Sequence, residues 1–236
     1  MAFGDLVQSA VADADANATA QATFASAVTP GNLIVVVTQT GDGPLTPNGD
    51  LLEAVDNHDT GQDDGHAIGY RVVQSGDGTT WGFTQPSADQ FEIILYEFEG
   101  PWEASPLDQT GVTAFVDSPT SQAVTASGAT TQADELVIAT WGDRAIGGVG
   151  NSAAIAGVDN SFITLLQEHN NFGNSARKSV GIATKVLTAT GTPTVTATFD
   201  DTSGRSGAAL ATFKKGAGGG GGTVVRPSTL TTLGIQ

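Results

Sequence analysis

Gln90-Phe-Glu-Ile-Ile-Leu-Tyr-Glu-Phe-Glu-Gly100 is the stretch on which the fold turns. A β-strand sends successive side chains to opposite faces. Phe91, Ile93, Leu95 and Glu97 then share one face, and Ile94, Tyr96 and Phe98 the other. Both faces are apolar in the middle of the run. The stretch therefore reads as a central strand covered on one side by a second sheet.

Working outward, Leu33-Ile34-Val35-Val36-Val37 is a second strand apolar on both faces, entered through the turn Thr29-Pro30-Gly31-Asn32. Further strands are expected at 20–28, 67–74, 79–85, 121–126, 135–141, 162–168, 176–188, 194–199 and 207–214. Residues 5–17 fit a strand or a short helix, with the Ala-Asp-Ala-Asp-Ala-Asn run as a turn. Residues 38–66 read as one long polar loop around the apolar island 51–55. Residues 102–121 read as a loop with a weak strand at 112–116, and 145–160 as irregular.

The two halves of the chain echo each other. Leu33 and Leu136 begin similar runs at an offset of 103. Arg71-Val72-Val73, Trp81-Gly82-Phe83 and Tyr96 to Gly100 are matched by Lys185-Val186-Leu187, Val195-Thr196-Ala197 and Thr212 to Gly216. Neither half has enough bulky residues for a core of its own, so a single sandwich with pseudo-twofold strand order is expected. The fold class is all-β: one antiparallel β-sandwich, jelly-roll-like, over residues 1–215, with long loops. A Gly-rich linker follows at 216–222. An extended C-terminal arm, 223–236, carries Val224, Val225, Leu230, Leu233 and Ile235 and is suited to adding a strand to another subunit.

Composition narrows the function. Acids outnumber bases 25 to 9, for a net charge of −16. That balance opposes binding to phosphate backbones and anionic membranes, so neither nucleic acid nor membrane is expected as a partner. Only 14% of residues are charged, leaving the polar surface to Thr, Ser, Asn, Gln and Gly. There is no cysteine, hence no disulfide or thiolate site. The first residues lack a basic segment followed by an apolar one, so no secretory signal is read there.

The densest set of polar groups is Asp50, Glu53, Asp56, Asp59, Asp63 and Asp64 with His58 and His66. Oxygen donors so spaced suggest calcium, but the glycine and glutamate positions of an EF-hand loop do not line up, and a solvated acidic loop is expected. A zinc site from His58, His66 and a carboxylate is supported less than calcium by the same residues. Glu92, Glu97 and Glu99 raise the question of a glycosidase acid pair, and are expected to be rim carboxylates. His58, His66 and His169 stand near no nucleophile turn, and Gly147-Gly148-Val149-Gly150 precedes no phosphate-binding helix. Trp81 and Trp141 should be core, and Trp102 the exposed aromatic able to stack on a sugar. No catalytic, cofactor-binding or metal residue is assigned, and the chain is read as a non-enzyme.

Pro30 to Val37, the strand ending Tyr96-Glu-Phe-Glu-Gly100, the half-repeat Asp134 to Ala139 and the tail Val225 to Thr232 resemble jelly-roll or lectin-like β-sandwich proteins of tailed-phage virions. The resemblance is one of pattern, over about residues 18–236. It implies a structural subunit: head decoration, or tail or neck fibre. Its expected partners are other virion proteins and copies of itself, held through 223–236, and a host surface glycan. Its expected location is the virion, reached without a signal peptide. A carbohydrate- or receptor-binding module of a phage tail is the alternative, and a polysaccharide-degrading enzyme a third reading.

Overall fold

A computed structural model describes residues 1–41, 43–59, 61, 64–145, 155–171, 177–200 and 204–217, without the side chains of 144–145, 166–171 and 177–178. The arm 223–236, Asp63 and Gly147 to Gly150 lie outside the described residues, as does the side chain of His169. Among the described residues fourteen strands follow in order: β1 Leu6–Thr23, β2 Leu33–Thr40, β3 Thr46–Pro47, β4 Leu52–Asp59, β5 Asp64–Val72, β6 Thr80–Phe98, β7 Trp102–Asp117, β8 Ser121–Thr125, β9 Glu135–Ala145, β10 Ile155–Val158, β11 Ile163–Asn171, β12 Arg177–Val186, β13 Thr194–Phe199 and β14 Gly204–Lys215. Every pairing is antiparallel.

The first sheet runs β1-β6-β2-β5-β4, with β3 also against β6; the second runs β11-β12-β9-β14-β7; a small third runs β10-β13-β8. Ile94, Tyr96 and Phe98 pack between the first two sheets with Val35, Ile138, Ile182 and Phe213. Phe91, Ile93 and Leu95 face the opposite way, against Phe24, Trp81 and Phe83. That outer cover is supplied by the far ends of β1 and β6, which fold across the sheet to which they belong. The third sheet covers the second in the same manner, with Val124, Val195 and Ala197 on Val137, Ala139 and Leu210. The central strand is thus apolar on both faces because both are covered, as alternation in the sequence required.

The two halves repeat each other in detail. Leu33 stands opposite Val72 and Phe98, and Leu136 opposite Val186 and Phe213. β2, β3, β4 and β5 correspond to β9, β10, β11 and β12, β1 to β7 with β8, and β6 to β13 with β14. Small bonds recur with them. The hydroxyls of Thr23 and Thr80 meet at 2.8 Å, and those of Thr125 and Thr194 at 3.0 Å. Asn48 N donates to Gly82 O at 3.0 Å, and Asp159 N to Thr196 O at 3.1 Å. The sequence match was one residue out in the last strand: Phe98 corresponds to Phe213 and not to Lys214.

Several expectations are corrected. Residues 38–66 are not one loop. β2 runs on to Thr40, and β4 and β5 form a hairpin through the acidic run. Period-two burial of Val55 and Asn57 holds β4 in place although its sequence is polar. Residues 102–117 are a continuous edge strand, and the Ala-Asp run belongs to β1, with Ala10, Ala12 and Ala14 packed under the outer cover and Asp13 and Asp15 exposed. The segments at 79–85 and 90–100 are one strand of 19 residues.

Candidate functional site

The acidic hairpin was the first candidate. Asp56 lies 3.3 Å from His58 Nδ1 and accepts from Leu45 N. Burial raises its pKa, and burial followed by repulsion from Asp56 raises that of Glu53. At the hairpin's end, Asp59 pairs with Arg205 of β14, whose guanidinium also lies 3.4 Å from the fully buried Asp64 and 3.7 Å from Asp117. The end of the run expected to be solvated is therefore a half-buried ion network around an arginine, while Asp50 and Glu53 are exposed as expected. Among the described residues no group of three or more His, Asp or Glu is arranged to hold a metal.

His66 sits deeper, between the sheets. Its Nδ1 donates to Thr38 O at 2.8 Å. Burial pushes its pKa down to about 4, so the ring is neutral at pH 7. Beside it the Gln39 amide is fully buried and, among the described residues, without a hydrogen-bond partner. Both crowd Gly142: a Cβ there would come 1.8 Å from Gln39 Oε1 and 2.9 Å from His66 Nδ1. The inter-sheet core is thus apolar at one end and polar at the other. His58 and His66 do not converge on one point: His58 is exposed and His66 fully buried.

The glutamates of β6 do not form an acid pair across a groove. Glu92 and Glu97 have opposite parity, so they lie on opposite faces of the sheet, and both are fully buried instead of on the rim. Glu97 accepts from Gln8 Nε2 (2.6 Å), Thr29 N (2.8 Å) and Asn32 Nδ2 (2.8 Å). It ties the turn at 29–32 to the central strand. Trp102 is also buried, at 8% exposure. Its ring lies 4.6 Å from that of Phe3, and its indole N–H donates to Phe98 O. Gly100-Pro101 turns the chain back over the core, which carries Trp102 inward. Trp81 and Trp141 are core, as read from their strands.

One carboxylate pair escaped the sequence reading. Glu135, fully buried on β9, is pushed up to about 7 by burial, with Asp108 adding to the shift. Burial also pushes Asp108 upward. That push is outweighed by hydrogen bonds from Thr131 N (2.7 Å) and Oγ1 (2.9 Å) and from Glu135, which together hold its pKa down. The two lie 27 positions apart in sequence, on β7 and β9, strands separated by β14. No local pattern could have joined them. Glu135 occupies the place that Asn32 holds in the first half.

The surface offers an open groove of about 470 Å³ lined by Asp50, Leu52, Tyr70, Arg71, Gln74 and Pro106 among others. A smaller one, about 140 Å³, continues past Arg71 to Gln21, Asn48, Asp77 and Trp81. Asp77 grips Arg71 with two bonds of 2.7 Å, raising the arginine's pKa and lowering its own. The result is a fixed polar surface with amide and guanidinium groups, suited to hydrogen-bonding a hydroxylated ligand. Separately, among the described residues the exposed large apolar side chains other than Met1 and Val186 are Leu6 and Val11 on β1, Leu52 on β4, Val112 and Val116 on β7, and Ile163 on β11. These four are the outermost strands of the two main sheets.

Comparison of the chain with protein-family profiles, with curated proteins and with solved structures finds no match.

Proposed function

We propose that this chain is a structural subunit of a phage virion, a head decoration or a tail or neck fibre protein, that docks through residues 223–236. The observation that carries the reading is the placement of exposed apolar side chains on the four edge strands. An edge strand presents unpaired N–H and C=O groups, and with apolar side chains beside them it is a surface for adding another chain. The low charge content, the hydroxyl- and amide-rich surface and the apolar arm beyond a glycine spacer support the same reading. Truncation after Lys215 is the test. The sandwich should keep its melting transition and lose incorporation into particles. Normal incorporation of the truncated chain overturns the proposal.

The groove around Arg71 favours a second reading, a glycan- or receptor-binding module. Arg71→Ala should then abolish retention on host-cell glycans; retention equal to that of the natural chain removes this reading.

A further inference from the structure

The pseudo-twofold arrangement is broken at one place. On one side of the sandwich the edge strands β4 and β7 lie together, joined by the bond from Asn57 Nδ2 to Thr113 O at 3.0 Å. The corresponding strands on the other side are β11 and β1. Among the described residues no hydrogen bond joins them, and β11 approaches β6 instead. Among the described side chains the seam there is open. Val11 stands opposite Ile94, and so faces the inter-sheet core, yet it is 47% exposed. Ile163 stands opposite Thr184 on the inner face of the second sheet and is 67% exposed. Leu165 lines the same wall and packs partly against the core.

Resting on the docking role proposed for the arm, we infer that this slot between β1 and β11 receives residues 223–236 of a neighbouring copy, added as a strand along the free edge of β1. Three observations favour that occupant. From Gln8 to Ala14 β1 keeps an unbroken register and offers seven residues of straight edge, room for a strand drawn from the arm of 14. The arm brings apolar side chains to a slot walled by Val11, Ile163 and Leu165. Charge is complementary: β1 carries Asp13 and Asp15 and no cation, and Arg226 is the arm's one charged side chain. A second β1 in the same place would set aspartates near aspartates, which disfavours edge-to-edge pairing of two copies.

The chain has no cysteine, so disulfide trapping in the full-length protein is clean. Val11→Cys and Leu230→Cys copies are mixed and mildly oxidised; Val112→Cys, on the opposite edge, replaces Val11→Cys as the control. The expected result is a cross-linked dimer of the first pair at least ten times more abundant than with the control. Val11→Asp should weaken arm-dependent association at least tenfold without lowering the melting temperature. Cross-linking equal to the control, with association still lost on truncation after Lys215, overturns the slot and leaves the docking role standing. Closure within single chains of a Val11→Cys/Leu230→Cys double variant overturns the neighbouring copy as donor. Association unchanged by truncation overturns both proposals.

Discussion

Glu97 shows what one buried acid does for this fold. Its carboxylate satisfies a backbone N–H and two side-chain amides that would otherwise be orphaned. A buried donor left without a partner costs about 1–3 kcal/mol. Glu97→Ala strands at least the Thr29 N–H and the Asn32 amide, so a loss of about 3 kcal/mol is expected, read as a lower urea midpoint. Glu97→Gln keeps the shape but turns an NH2 group toward donors, so it should recover only part of the loss. Gly142 is the opposite case, a site that tolerates no extra atom. Its Cβ would overlap the Gln39 amide, and overpacking of this kind typically costs about 1–3 kcal/mol. Gly142→Ala should be destabilised by that amount in chemical denaturation, and Gly142→Ala with Gln39→Ala should recover most of it.

At the scale of elements, β4 and β5 depend on a residue from the other half of the chain. Arg205 reaches from β14 to Asp59 and Asp64. Removing one partner of a buried ion pair leaves an uncompensated charge, at about 3–5 kcal/mol. Arg205→Leu should cost about that much, and Arg205→Leu with Asp64→Asn markedly less than the sum, as a double-mutant cycle would show. The same contact explains why the hairpin was hidden in the sequence. Read alone, 50–66 is rich in Asp, Asn and Gly and looks solvated; the cation that meets Asp59 and Asp64 comes from about 140 positions away. The apolar runs were legible because burial on two faces leaves a local mark: 33–37 and 91–98 were found as strands, although β2 continues to Thr40 and β6 begins at Thr80, and 194–199, buried on one face by alternation, matches β13. β1 and β7 were obscured by small and acidic side chains on their open faces. Trp102 was misplaced because a Gly-Pro pair reads as an exit from the core when here it is a return to it. The groove around Arg71 gathers residues from 21 to 106, so only its members were visible, never their meeting.

For the whole molecule, the duplicated halves carry opposite pH couplings. His66, between the sheets on the first half's β5, has a folded pKa of about 4 against an ordinary value of 6.5. Between those values the unfolded chain binds the proton and the folded one does not, so stability falls as pH drops through that window, by about 3 kcal/mol for a fully buried ring. Glu135, on the second half's β9, has a folded pKa of about 7 against 4.5. Between those values the folded chain holds the proton and the unfolded one does not, so stability falls as pH rises through that window. From about pH 4.5 to 6.5 the two slopes oppose each other, and the natural chain should have a flat stability profile there. Glu135→Gln removes the acid's titration, and its melting temperature should climb steadily from pH 4.5 to 6.5. His66→Gln leaves only the acid, and its melting temperature should decline over the same range. Parallel profiles for the two variants would show that neither group titrates as its surroundings require. Divergent profiles would locate the balance in two buried groups that stand on different halves of one repeated scaffold.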